Sequence, residues 1–250
     1  MLRHAWLVSI LAVVLAFFGA STAFAVAYHG DLQYTPPNPP DAGDGLFVGP
    51  SNLQWVTYIV GITWDVTNED TSYPGYPWKY TYTFGHNGFQ AGISHIIIEG
   101  SQGISLSDIT GLTGGTASSA GLQRVSSGAP NMPEDVIGIR FHPLAEGQFS
   151  MTWSFWSNRA PVWGDFYARC GGKQGGINYA YNYNVGTGTG STDPDSDDST
   201  LDDVDPTAPA ANNSVDFHIL RPDSVVPEPS SLLALLSGLG AIGMLIRYRR

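Results

Sequence analysis

Apolar and polar residues alternate with a period of two along most of the central part of this 250-residue chain. Between Leu53 and Val66, the residues Val56, Tyr58, Val60, Ile62 and Trp64 fall on one face. Trp78 to Phe84 sets Tyr80, Tyr82 and Phe84 against Lys79, Thr81 and Thr83. Such alternation predicts half-buried strands, because successive side chains of a strand point to opposite faces. Ile93 to Glu99 is a more continuous β-branched run, which predicts a strand buried on both faces. Val136–His142, Gln148–Trp156, Val162–Ala168, Ile177–Val185 and Val215–Leu220 are the further strand candidates. No segment between the two ends has the period of an amphipathic helix. About nine or ten strands with frequent turn residues predict an all-β fold, a single β-sandwich or jelly-roll-like domain. Residues 28–45, with Pro36, Pro37, Pro39 and Pro40, read as an irregular opening segment. Gly111–Ser119 and Gly186–Asn213 read as loops, and the second carries seven aspartates.

Both ends break this pattern. Arg3 and His4 precede an apolar run from Ala5 to Ala20, and Ser21 to Ala27 offers small-x-small sites. This order is that of a secretory signal peptide over residues 1–25, with cleavage after Ala25 or Ala27. At the other end, Pro227-Glu228-Pro229 precedes an apolar run and Arg247, Arg249 and Arg250 close the chain. The prolines keep that stretch extended. The run predicts a single membrane helix over 231–246, about 22–25 Å long and marginal for a bilayer core. The arginines act as a stop on the cytoplasmic side, with the domain outside. What remains is an extracellular β-rich domain over 26–225, with its Asp-rich loop at 186–213, and a terminal segment over 226–250.

The tripeptide, the single helix and the arginine-rich end together resemble the PEP-CTERM sorting signal of Gram-negative bacteria. The resemblance covers about the last 25 residues. It implies recognition by an exosortase, a membrane protease-transpeptidase that cleaves near the tripeptide, in an organism that makes exopolysaccharide and a biofilm or floc-type matrix. It also implies a precursor tethered to the inner membrane and a mature protein in the cell envelope, at the surface or in the matrix. Runs such as Tyr80-Thr81-Tyr82-Thr83-Phe84 and Trp163-Gly164-Asp165-Phe166-Tyr167-Ala168 resemble those of uncharacterised exported proteins with the same signal, which implies no activity.

The charge balance narrows the partners. The chain carries 11 Lys and Arg against 22 Asp and Glu. Arg3, Arg247, Arg249, Arg250 and Glu228 lie in the end segments, so the body is more acidic than the whole, at roughly −14. Such a surface repels nucleic acid and anionic lipid. The single cysteine, Cys170, excludes an intramolecular disulfide. Arg169 beside it would favour the thiolate, but a buried, inert thiol is the commoner role.

Catalytic patterns are absent from the sequence. The body histidines, His29, His86, His95, His142 and His218, have no H-x-H or H-x-x-x-H spacing. No G-x-S-x-G turn occurs. A glycosidase carboxylate pair leaves no local spacing, and Glu99, Glu134, Asp135, Glu146 and Asp165 are its candidates. The best cation ligands are Asp193, Asp195, Asp197 and Asp202, since carboxylates at alternate residues suit calcium. However, Asp198 and Val204 stand where the calcium loop needs glycine and glutamate, which favours a solvated loop and no cofactor. Tyr179, Tyr181, Tyr183 and Trp163 are the candidate platform for a sugar ring, with core packing as the commoner use of such rings. Three functions follow: a non-enzymatic surface or matrix protein associated with exopolysaccharide, a carbohydrate-binding module, or a secreted glycoside hydrolase.

Overall fold

The computed structural model describes residues 25–36, 45–49, 55–88, 92–126, 128–133, 135–171, 176–182, 213–214 and 217–223. All its strands fall within one compact unit, Val26–Val225. The fold is all-β, as the alternating pattern predicts. Among the described residues there are thirteen strands: β1 (Ala27–Tyr34), β2 (Leu46–Gly49), β3 (Val60–Thr67), β4 (Trp78–His86), β5 (Ile93–Glu99), β6 (Ile109–Thr113) and β7 (Gly115–Gln123) come first. They are followed by β8 (Val136–Pro143), β9 (Ser150–Ser157), β10 (Pro161–Gly164), β11 (Phe166–Cys170), β12 (Tyr179–Asn182) and β13 (Ile219–Pro222). Among the described residues, the helical content is two single 3-10 turns, Trp55–Thr57 and Leu106–Asp108, and no helix is long and apolar enough to cross a membrane.

One sheet has the order β1-β3-β4-β9-β6, the other β2-β12-β11-β5-β8-β7, and β10 pairs separately with β13. Their inner faces interdigitate as a sandwich. Phe84 of β4 meets Phe166 of β11 at 6.1 Å between ring centroids, and Phe141 of β8 meets Phe155 of β9 at 5.3 Å. Tyr80, Tyr82 and Phe84 are all fully buried, on the face that the alternation assigns to them.

Several local expectations need correction. The opening segment is not irregular throughout, since β1 pairs with β3 along its whole length. Its own alternation, Leu32 and Tyr34 inward against Asp31 and Gln33, is short and precedes the prolines that dominate the reading. The strand beginning at Leu53 starts only at Val60, because the chain turns at Trp55–Thr57, where Trp55 N–H donates to Asn178 Oδ1 at 2.9 Å. Gly111–Ser119 is not a loop; it is parts of β6 and β7, each the outermost strand of its sheet. Edge strands of small polar residues bury little and leave a weak pattern, and both carry a bulge. Gly114, at φ +77°, joins them, and a Cβ there would collide with the Thr152 carbonyl. The run Val162–Ala168 is two strands. Asp165 breaks it, so that β10 pairs with β13 and β11 with β5 and β12.

Candidate functional site

Two polar groupings stand out, and the first lies under the break at Asp165. Glu99 Oε2 accepts the Asp165 N–H at 2.6 Å and lies 3.2 Å from Arg221 Nε. Asp165 Oδ1 accepts from Asn182 Nδ2 and lies 3.8 Å from His218 Nε2. Next to them, Arg159 pairs with Asp108 at 3.0 Å and donates to Ser101 Oγ and the Asp223 carbonyl. Glu99, Asp165, Asn182, His218, Arg221 and Asp223 are all buried. Gly164 is required here, because a Cβ would occupy the path of the Arg221 side chain. The structure thus brings together two of the five candidate acids, but as paired groups inside the protein. Asp135 accepts from Arg124 and from Val125 N–H, Glu146 is exposed, and Glu134 lies outside the described residues.

The second grouping lies on the outer face of the six-stranded sheet. On β12 the usual polarity is inverted. Ala180 and Asn182 face the interior, while Tyr179 and Tyr181 stand half-exposed on the outside. Asn178 and Asn182 can be inside because each caps a backbone donor, Trp55 N–H and Phe166 N–H respectively. Phe47 of β2 lies opposite Tyr181 in the ladder. Its ring is 4.8 Å from Tyr181 and 6.2 Å from Tyr179, within 9° and 14° of parallel, and the two tyrosines are 6.1 Å apart at 6°. Burial raises both phenols, Tyr181 to about 12, so both are neutral near pH 7. Three nearly parallel rings, stacked on one another, therefore form a ledge at one side of this face.

Further along the same face come Tyr167 and Arg169 of β11, His95 and Ile97 of β5, then Arg140 and His142 of β8. Ala129 and Met132, from the connection between β7 and β8, pack on Ile97 and Tyr167. That cover explains why β5 is buried on both faces. Arg169 Nη1 donates to the Gly128 carbonyl at 2.7 Å, and a Cβ built on Gly128 would lie 3.8 Å from Arg140 Nη1. Both guanidiniums thus converge on one point of that connection. His95 and His142 lie 5.8 Å apart. His142 Nδ1 donates to the Ser94 carbonyl at 3.1 Å, which leaves its Nε2 to meet Ser118 Oγ at 2.8 Å. Burial, then Arg140, His142 and Arg169, lower the His95 pKa to about 3.

Of the other candidates, Trp163 does not join the tyrosines. It is buried in the core, edge-on to Trp64 at 6.5 Å. Trp153 is also fully buried. Tyr183 lies outside the described residues, as do Asp193, Asp195, Asp197 and Asp202, Pro227, Glu228 and Pro229, and Arg247, Arg249 and Arg250. Among the described residues, no group of three or more His, Cys, Asp or Glu could hold a metal ion. Cys170 is buried; its Sγ accepts from Asn178 N–H at 3.0 Å. Phe47 and Arg140 were not among the sequence candidates. Phe47 sits in a four-residue strand, too short to show a period, and an isolated arginine carries no motif.

No curated protein and no solved structure matches the chain. Residues 225–250 match the family described as the PEP-CTERM protein-sorting motif. The chain therefore carries a PEP-CTERM sorting motif at its carboxyl end, behind a compact β unit, and is an exported protein sorted by exosortase.

Proposed function

We propose that the processed protein is a non-catalytic component of the cell surface or extracellular matrix, associated with exopolysaccharide. The observation that carries this is the sorting motif next to an all-β unit. Glu99 and Asp165 support a structural reading of the buried acids. A glycosidase needs two carboxylates about 5–10 Å apart across an accessible cleft, whereas these two meet Arg221, Asn182 and a backbone N–H inside the protein. The precursor is held in the inner membrane by its carboxyl-terminal apolar run until exosortase releases it. Intact mass and fractionation, with and without the exosortase, test this. Loss of Leu232–Arg250 with release to the envelope or medium is expected, and a mature form that keeps this segment in the inner membrane would refute it.

A second reading concerns how the protein meets the polysaccharide. The half-exposed stack of Phe47, Tyr181 and Tyr179 offers aromatic surface on which the C–H face of a sugar ring could pack. Buried aromatics serve packing, but these rings are half-exposed on a sheet face and nearly parallel. Removing the middle ring by Tyr181→Ala is expected to abolish retention on an immobilised polysaccharide. Unchanged retention would end this reading.

A further inference from the structure

We propose that Asn87-Gly88 is a self-modification site, where His86 and the Ile59 N–H promote ring closure of the Asn87 side chain and its conversion, without an enzyme, to aspartate and isoaspartate. It goes beyond the sugar-platform reading and does not depend on it.

The local sequence supplies the reactants. An asparagine carboxamide can be attacked by the backbone nitrogen of the next residue, which closes a cyclic imide. Glycine opposes this least, because it has no side chain to crowd the nitrogen and its backbone is the most permissive. Asn87-Gly88 is the single Asn-Gly pair in the chain. It follows directly on His86, the last residue of β4.

The fold adds two groups at the reacting atoms. Gly88 N–H donates to His86 Nδ1 at 3.2 Å, so this nitrogen carries a lone pair and stands where a general base must. Ile59 N–H donates to Asn87 Oδ1 at 3.0 Å, the oxygen on which negative charge develops during the attack. Asn87 N–H donates back to the Ile59 carbonyl at 3.2 Å, which fixes the residue opposite Ile59. Asn87 is exposed, and its Nδ2, the leaving group, has no hydrogen-bond partner among the described residues. His86 is itself held in position. Its ring is buried, tilted against Trp55 at 5.3 Å, stacked on Tyr58 at 6.1 Å and edge-on to Phe149 at 5.4 Å. Tyr58 also covers Gly88, where a Cβ would lie 2.3 Å from its ring.

The reaction balances with water as its one co-reactant. Gly88 N gives its proton to His86 Nδ1 and bonds to Asn87 Cγ, while Oδ1 takes the charge under the Ile59 N–H. The Cγ–Nδ2 bond then breaks, and Nδ2 leaves as ammonia with the proton that the imidazolium returns through water. Water next opens the imide. Breaking the bond from Gly88 N to Cγ gives aspartate. Breaking its bond to the main-chain carbonyl carbon of residue 87 gives isoaspartate, whose backbone runs through the former side chain. Either product adds a carboxylate to an already acidic chain. Isoaspartate also lengthens the backbone and carries Gly88 away from His86 and Tyr58. Because no enzyme is needed, the extent of conversion measures the time since the chain folded.

The test incubates the full-length chain at neutral pH, native in mild detergent and unfolded in urea. Peptide mapping by mass follows position 87, and isoelectric focusing follows the added charge. The native chain is expected to convert about tenfold faster than the unfolded one, less than a positioned base usually contributes because the native backbone is less free to close the ring. His86→Gln should remove this advantage and leave the rate in urea unchanged, with a thermal melt to show that the variant folds. Asn87→Gln should leave position 87 unconverted. A native rate at or below the unfolded one would overturn the proposal, and that comparison needs no variant to fold. A folded His86→Gln protein that converts as fast as the parent would overturn the role of His86.

Discussion

Arg221 of the last strand reaches across the protein to Glu99 of β5, with 3.2 Å between Nε and Oε2 and both groups buried. Removing one member of a buried ion pair leaves the other charge without compensation, at a cost of about 3–5 kcal/mol. Arg221→Met is therefore expected to lower the unfolding free energy by about this much. Because an apolar replacement of both members is often tolerated, Arg221→Met with Glu99→Leu should recover a large part of the loss. Urea denaturation of the three variants measures the difference, and simple additivity would count against a paired role.

The same strand is held by Tyr82, whose hydroxyl donates to the Leu220 carbonyl at 2.7 Å in the core. Burial holds this phenol well above its usual pKa, so it acts as a neutral donor. Tyr82→Phe should cost about 1–3 kcal/mol, because a buried acceptor loses its partner. Tyr76→Phe removes an exposed bond to the Ser107 carbonyl and should cost less. A comparison of the two melting temperatures checks this; equal shifts would refute it.

His95 ties stability to pH. Its folded pKa of about 3 lies below the 6.5 of an ordinary histidine, so between these values the unfolded chain binds a proton that the native protein refuses. The neutral native form is fully favoured above about pH 6.5, and that stability drains away as the pH falls toward 3. The slope from this residue is up to about 1.4 kcal/mol per pH unit. His95→Asn should flatten the fall in urea midpoint between pH 6.5 and 4. An unchanged profile would assign the acid sensitivity elsewhere.

Cys170 should be silent in the folded protein. Its thiol is buried and receives two donors from Asn178, the backbone N–H at 3.0 Å and Nδ2 at 3.4 Å. A thiol reagent should find no reactive group in the native state and one after unfolding in urea. Fast native labelling would mean that the segment around Asn178 opens.

The inner faces of the central strands are legible in the sequence because burial repeats there every second residue. Tyr80, Tyr82 and Phe84 are the clearest case. The edges are less legible, since Gly115–Gln123 forms a strand with almost no apolar side chain, held by backbone pairing to β8. The aromatic ledge is legible only in part. Alternation puts Tyr179 and Tyr181 on one side and Asn178 and Asn182 on the other, but it does not say which side is inside. Buried asparagine is expensive unless it is bonded, and the donors that satisfy it, Trp55 N–H and Phe166 N–H, are positioned by the fold. Arg140 and His95 meet only through strand pairing, so no local spacing marks them. The sorting motif is the opposite case: all its parts are contiguous, and it can be read without a fold.

The lock formed by β13 also sets an order in time. Tyr82 and Leu220 are 138 positions apart, and Arg221 must reach back to Glu99 before that acid is neutralised. An exported chain emerges from its amino end, so β1 to β12 are delivered before the residues that fasten them. Contacts this distant in sequence form late, after the cost of closing a long loop has been met. The fold thus completes only as the stretch adjoining the sorting motif comes through. A chain interrupted before residue 221 would leave the buried Glu99 without its arginine, open to unfolding and to the proteases of the envelope.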